Sequence, residues 1–274
     1  MIYFFSQMVT KMFDILVVPF GDNRMLALSA LSFLTGVGLI FVFKAVSNQR
    51  RIKEARDKFK AYILEMRIYQ DNIVLIHKAL FKALGTNLTY LRVSLVPILV
   101  MVAVVFVVFV QLDERYGRRH LDSADRALLA VSLKDGLDPM TAQFQLRADD
   151  GLIVDSPPVR SSAQGKIYWR IRASEPGTHR LHVNVYDKTY SFPVRAELSN
   201  GPIGHVRSNG SVFSPLLYPS LPRLAKNSPV KAVELHYPTA DYPLLLWRTH
   251  WLVVFIVFSL LGALIPKLLF GIQI

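Results

Sequence analysis

The sequence predicts an α+β membrane protein: three transmembrane helices, a cytoplasmic αα-hairpin and an external immunoglobulin-like β-sandwich. Three observations carry that expectation. Apolar blocks of about 20 residues recur at 25–45, 93–112 and 251–270, enough helix to cross about 30 Å of hydrocarbon. The short loop after the first block is strongly basic, and a period-two pattern follows the second.

The first span, MLALSALSFLTGVGLIFVFKA, is uncharged until Lys44, and the second, VSLVPILVMVAVVFVVFVQL, carries no charge at all. The third, WLVVFIVFSLLGALIPKLLF, ends on Pro266 and Lys267, which predict a local distortion and a snorkelling lysine. Residues 1–24 superficially resemble a signal peptide, but they lack a basic start and a small-residue cleavage site, and Lys11 and Asp14 interrupt them. Phe5, Met8, Met12, Ile15 and Leu16 fall near one helical face, so an interfacial amphipathic helix ending at Pro19-Phe20-Gly21 is expected.

Charge sets the expected orientation. Residues 47–91 hold nine Lys/Arg against four acids, and short basic loops stay cytoplasmic. The N-terminus and the long segment 113–248 are then outside and the C-terminus inside, as in a multi-pass protein of a bacterial inner membrane. The net charge of +12 fits this orientation signal and attraction to anionic membrane lipid. Nucleic acid is not an expected partner, because no recognition motif accompanies the charge. With no cysteine, disulfides, thiolate metal sites and thiol catalysis are excluded.

Within the cytoplasmic segment 46–91, Ile52, Ala55, Phe59, Ile63 and Met66 recur at helical spacing from Gln49 to Tyr69. Arg50, Arg51, Lys53, Arg56, Lys58 and Lys60 form its basic face. Asp71-Asn72 breaks the run and caps a second helix from Ile73 to Leu84, with Gly85 as its stop and Asn87 starting the helix into the second span. A solvated connector and a contact surface for a ribosome, nascent chain or membrane partner both fit this hairpin.

An N-out span, a basic hairpin, the polar link Gly85-Thr-Asn-Leu-Thr-Tyr-Leu and the proline-bearing Ser94-Leu-Val-Pro97 together resemble the YidC/Oxa superfamily of membrane insertases. The likeness is to its minimal three-span branch, including an uncharacterised bacterial group, and covers about 25–112 and 249–274. It implies a shallow hydrated groove that lowers the cost of moving polar segments into the bilayer. Candidate lining is Ser29, Ser32, Thr35, Gly36 and Gly38 in the first span, Ser94 in the second, and Ser259 and Gly262 in the third. Ordinary small-residue helix packing accounts for the same residues. Two departures stand out: no arginine lies inside a span, and a large domain is inserted between the last two.

That insert, residues 113–200, alternates at Leu129-Val131-Leu133, Ile167-Trp169-Ile171, Leu181-Val183-Val185 and Phe192-Val194. Asp-Gly, Pro-Pro and Pro-Gly punctuation separates the runs, the pattern of an antiparallel sandwich with Trp169 in its core. Residues 201–248 are rich in Pro, Ser and Gly and read as a linker over the membrane surface, with Val230–Tyr237 a possible strand. Trp247, His250 and Trp251 are expected as interfacial anchors.

No nucleotide-binding glycine fingerprint, HExxH or GxSxG occurs, so neither an enzyme nor a cofactor is expected. His179 and His182 have odd separation on a strand and would face opposite sides, which argues against a metal site. Two functions remain: an insertase-like protein assisting nascent membrane proteins, or a non-catalytic subunit of a larger respiratory, photosynthetic or transport complex.

Overall fold

The computed structural model describes residues 2–186, 188–210, 213–244 and 247–270. The chain divides into two compact units, Met1–Ser29 with Phe109–Val254 and Ala30–Val108 with Phe255–Ile274.

Four helices among the described residues are long and apolar enough to cross a membrane, not three. They are α1 (Ile2–Val17, continued by a 3-10 turn Val18–Phe20), α2 (Arg24–Val46), α4 (Ile73–Tyr116) and α6 (Trp251–Phe270). The N-terminal helix is the added candidate, and it is the least apolar of the four. The remaining long helix, α3 (Gln49–Ile68), is the basic arm of the hairpin.

Asparagines start three of these helices. Asn23 Oδ1 accepts from the Leu26 amide at 3.0 Å, Asn48 Oδ1 from Arg51 at 3.1 Å, and Asn72 Oδ1 from Val74 at 3.1 Å and Leu75 at 3.2 Å. Each cap satisfies amides that have no partner within the helix. The expected stop at Gly85 does not occur. α4 runs unbroken for 44 residues, and Gly85 keeps helical geometry. Ala83 and Leu84 precede it, and the hydroxyls of Thr86 and Thr89 fold back onto the carbonyls of Lys82 (2.9 Å) and Gly85 (3.0 Å) rather than capping a new start.

In the second unit, Ile40, Phe43 and Ile52 form a buried cluster against Tyr90, Val93, Met101 and Ala263. Lys82 reaches Glu65 across the hairpin at 3.6 Å and lies over the Tyr62 ring at 5.5 Å.

In the first unit, two antiparallel sheets share one core. The larger has the order β3-β5-β1-β9-β8, with β4 also on β5: β1 is Arg126–Leu133, β3 Leu152–Val154, β4 Val159–Ser161, β5 Lys166–Ala173, β8 Val206–Ser208 and β9 Val230–His236. The smaller is β2-β6-β7, from Phe144–Ala148, Thr178–Val185 and Lys188–Arg195. Leu129, Val131, Trp169 and Ile171 from one sheet and Leu181, Val183, Phe192 and Val194 from the other fill a single cluster, as the alternation predicts. The stretch read as a linker, 201–248, is instead structural. β9 lies between β1 and β8, and its Val230, Ala232, Val233 and Leu235 are buried. Its prolines and glycines lie around these strands, so bulk composition concealed them. A short helix α5 (Ser214–Leu217) precedes β9, and a hairpin of β10 (Asp241–Leu244) and β11 (Trp247–His250) leads directly into α6.

Candidate functional site

An extended exposed apolar surface lies on the hairpin arm of α4. Val74, Phe81, Leu84, Leu88, Leu91, Leu95, Ile98 and Val102 recur at intervals of three, four or seven, which aligns them on one side of the helix. All eight are exposed, Val74 by 75% and Phe81 by 71%. Ala79 and Ala83, on another side, are buried. The result is an apolar seam, interrupted by His77 and Lys78 between Val74 and Phe81 and exposed among the described residues. It starts in the segment expected in cytoplasm and continues into the segment expected in lipid. Ile68, Tyr69 and Ile73 extend the apolar surface around the hairpin tip.

The basic side chains lie on α3. Arg50, Arg51, Lys53, Lys58 and Lys60 are exposed and Arg56 is half-buried. Arg50 bonds Glu54 at 2.9 Å, an exposed pair that contributes little to stability. Arg51 and Lys58 line a cavity of about 360 Å3 between α3 and α4, together with Thr86 and Thr89.

The expected groove residues are divided. Gly36 and Gly262 lie where α2 and α6 cross: a methyl group on Gly36 would overlap the Ser259 carbonyl, and one on Gly262 the Phe33 carbonyl. Close backbone approach of this kind requires the missing side chain. Ser32 is fully buried, Ser94 nearly so, and Thr35 donates back to the Leu31 carbonyl at 2.7 Å. Ser259 donates to Ile256 O at 3.1 Å, and Ser29 is half-buried. Gly38 is exposed and has open space beside it.

Of the expected anchors, Trp247 and His250 are exposed, whereas Trp251 is 1% exposed with its ring 5.0 Å from Phe109. Trp251 is therefore an interior residue, held by aromatic packing rather than by a lipid headgroup layer.

A second constellation, in the first unit, was not anticipated. Arg115 is fully buried near the end of α4. Its guanidinium donates to Asp14 Oδ1 at 2.5 Å, to Thr10 O at 3.1 Å and to Gln111 Oε1 at 2.7 Å. Gln111 in turn donates to Thr10 Oγ1 at 3.0 Å, and Thr10 to Ser6 O at 2.9 Å. One turn away, Glu114 is 1% exposed; its carboxylate accepts from Ser220 Oγ and lies 3.2 Å from His205 Nδ1. Arg24 donates to the carbonyls of Arg115 and Arg118, and Tyr242 donates to that of Tyr116 at 3.1 Å. At Arg115 and Tyr116 these donors occupy C-terminal carbonyls that α4 leaves free, at the negative end of its dipole, and Arg118 lies just beyond it. Burial pushes the Tyr242 phenol up to about 12. The sequence held a signal for this network: Ser6, Thr10 and Asp14 repeat at four-residue spacing opposite the apolar face of α1, and Gln111 and Arg115 share the same spacing.

Such a network fastens elements together. Among the described residues no group of three or more His, Asp or Glu side chains is placed to hold a metal ion. Compared with family models, curated proteins and solved structures, the chain matches none.

Proposed function

We propose that this chain is an insertase-like membrane protein that assists insertion or assembly of other membrane proteins, with the α4 seam as the surface that receives them. The seam carries this reading. Each large apolar side chain gains roughly 1.5–3 kcal/mol on full burial, so exposed positions from Val74 to Leu91 favour an incoming apolar segment. The same stripe continues from Leu95 to Val102 within the second span, offering a track from water toward lipid. The basic loop sets the hairpin on the cytoplasmic side of a bacterial inner membrane and the β domain on the other. The likeness to the YidC/Oxa superfamily agrees with this arrangement, and the β domain is read as an immunoglobulin-like binding or spacing module.

The regular heptad spacing favours a second reading as well, in which a stable partner helix occupies the seam and the chain is a structural subunit. A photo-crosslinking residue at Phe81 or Leu88 separates the two. Adducts with many nascent membrane proteins, appearing only while their apolar segments emerge, support the insertase reading. One adduct of constant size that persists after translation stops would replace it with the subunit reading.

α1 belongs to this proposal as an interfacial helix. Ser6 donates to Pro215 O at 2.7 Å and Gln7 to Pro219 O at 2.9 Å, while the Gly21 carbonyl, past the other end, accepts from Asn200. Both ends, about 20 Å apart along the helix, are thus tied to the unit that contains the β domain. A helix that crossed the bilayer would carry one end away from it. Phe4, Met8, Met12 and Ile15 remain exposed on the opposite side, the face an interfacial helix turns to acyl chains.

A further inference from the structure

Beside the end of α1 lies a cavity of about 490 Å3, with Asp14 of the Arg115 network in its wall. Val18, Asp22, Arg195, Ser199 and Asn200 contribute to its wall. Its charges are of both signs. Arg195 donates to Ser199 Oγ at 2.9 Å, but no carboxylate among the described residues lies in ion-pair range of it; Asp22 likewise has no basic partner among them. Asn200 supplies an independent observation. It is 5% exposed, and its amide nitrogen donates to the Gly21 carbonyl, which fixes the opposite orientation for Oδ1. That oxygen has almost no accessible surface and no donor among the described residues, so a ligand in the cavity reaches it once the Asn200 side chain turns outward. An acceptor so placed is costly unless a ligand donates to it.

We infer that this cavity binds a zwitterionic aminophosphate headgroup, supplied by phosphatidylethanolamine of the bilayer. The inference rests on the interfacial reading of α1. The ammonium donates to Asn200 Oδ1 and faces Asp22, while Arg195 takes the phosphate as guanidinium groups do. Val18 is 74% exposed at the cavity and Ile15 is 72% exposed one turn before it, so acyl chains have an apolar surface beside the headgroup. The required donor sets the selectivity. A choline ammonium has no N–H to give, and phosphatidylglycerol has no cation for Asp22, so both are weaker ligands.

The test uses the full chain in bilayer discs containing equal phosphatidylethanolamine, phosphatidylcholine and phosphatidylglycerol, with retained lipid counted by native mass spectrometry. Phosphatidylethanolamine is expected to be enriched about five-fold, and the enrichment to fall to near parity in Asp22→Asn and in Arg195→Gln, the scale of one net hydrogen bond. Asp22 is exposed, so its variant leaves folding intact, which the thermal midpoint checks. Equal retention of all three lipids by the native chain overturns the site. Displacement of the lipid by soluble glycerophosphoethanolamine at equal concentration overturns the bilayer as its source. The α1 reading is checked separately by Ile15→Trp fluorescence with lipids brominated at different depths. Shallow quenching without lipid selectivity overturns only the site, whereas deep quenching overturns the interfacial helix itself.

Discussion

Arg115, with no exposed side-chain surface, holds Asp14 of the N-terminal helix at 2.5 Å. The pair sits on four-residue spacings in both helices, beside the Thr10–Gln111 bond, so α1 is fastened to α4 at two successive turns. A fully buried guanidinium tolerates its position only while acceptors surround it. Asp14, with 48% of its side chain exposed, supplies the compensating charge from the rim.

Asp14→Asn is expected to lower stability by about 1–2 kcal/mol, less than for a fully buried pair because solvent screens the carboxylate. Arg115→Met removes the charge and its acceptors' partner together and should loosen α1 further. Limited proteolysis between residues 1 and 23, compared with the thermal midpoint, reads both effects. An unchanged cleavage rate in Arg115→Met would show that the network does not hold the helix.

Gly36 and Gly38 form a matched pair for the α2–α6 crossing. Gly36→Ala places a methyl group against the Ser259 backbone and should cost about 1–3 kcal/mol as overpacking, whereas Gly38→Ala meets nothing. Thermal midpoints in the same detergent give the comparison. Equal midpoints for the two variants would refute the close crossing.

Gly85 offers a test by sign. Within a continuous helix and with open space around it, Gly85→Ala should stabilise by about 0.5–1 kcal/mol. At a left-handed helix stop the same change would destabilise. The direction of the shift in the denaturation midpoint therefore decides between an unbroken α4 and a hairpin that ends there.

Tyr237 gives the β domain a dependence on alkaline pH. It is 8% exposed, its hydroxyl accepts from the Arg195 amide at 3.0 Å, and burial raises its pKa from 10.0 to about 12. The folded state keeps the proton longer than the unfolded chain does. Its stabilisation is thus complete below pH 10 and is lost between about 10 and 12, an effect of roughly 2–3 kcal/mol. Tyr237→Phe should lower stability at pH 8 by leaving the Arg195 amide without its acceptor, and should flatten the decline above pH 10. Unfolding followed by circular dichroism, with tyrosinate absorbance in parallel, measures both.

The sequence by itself determined the elements whose signals are local. Uninterrupted apolar runs specified α2, the membrane portion of α4, and α6, because hydrocarbon length and helical rise admit one solution. Alternation specified β1, β5, β6 and β7, because one face of each strand meets a core. Asn72 was legible as a cap, since its chemistry acts within three residues. Tertiary structure decided the rest. β9 acquired its place between β1 and β8 through pairings with β1, about one hundred positions away, and with β8, about 25 away, which no local window contains. Gly85 remained helical because its neighbours, and not its own conformational freedom, set the backbone. Ser6, Thr10 and Asp14 became a buried polar stripe only when Gln111 and Arg115 came alongside, and Asn200 became an unsatisfied acceptor only through its bond to Gly21. The apolar stripe of α4 was present in the sequence, but its exposure depends on which face α3 covers, and only packing fixes that.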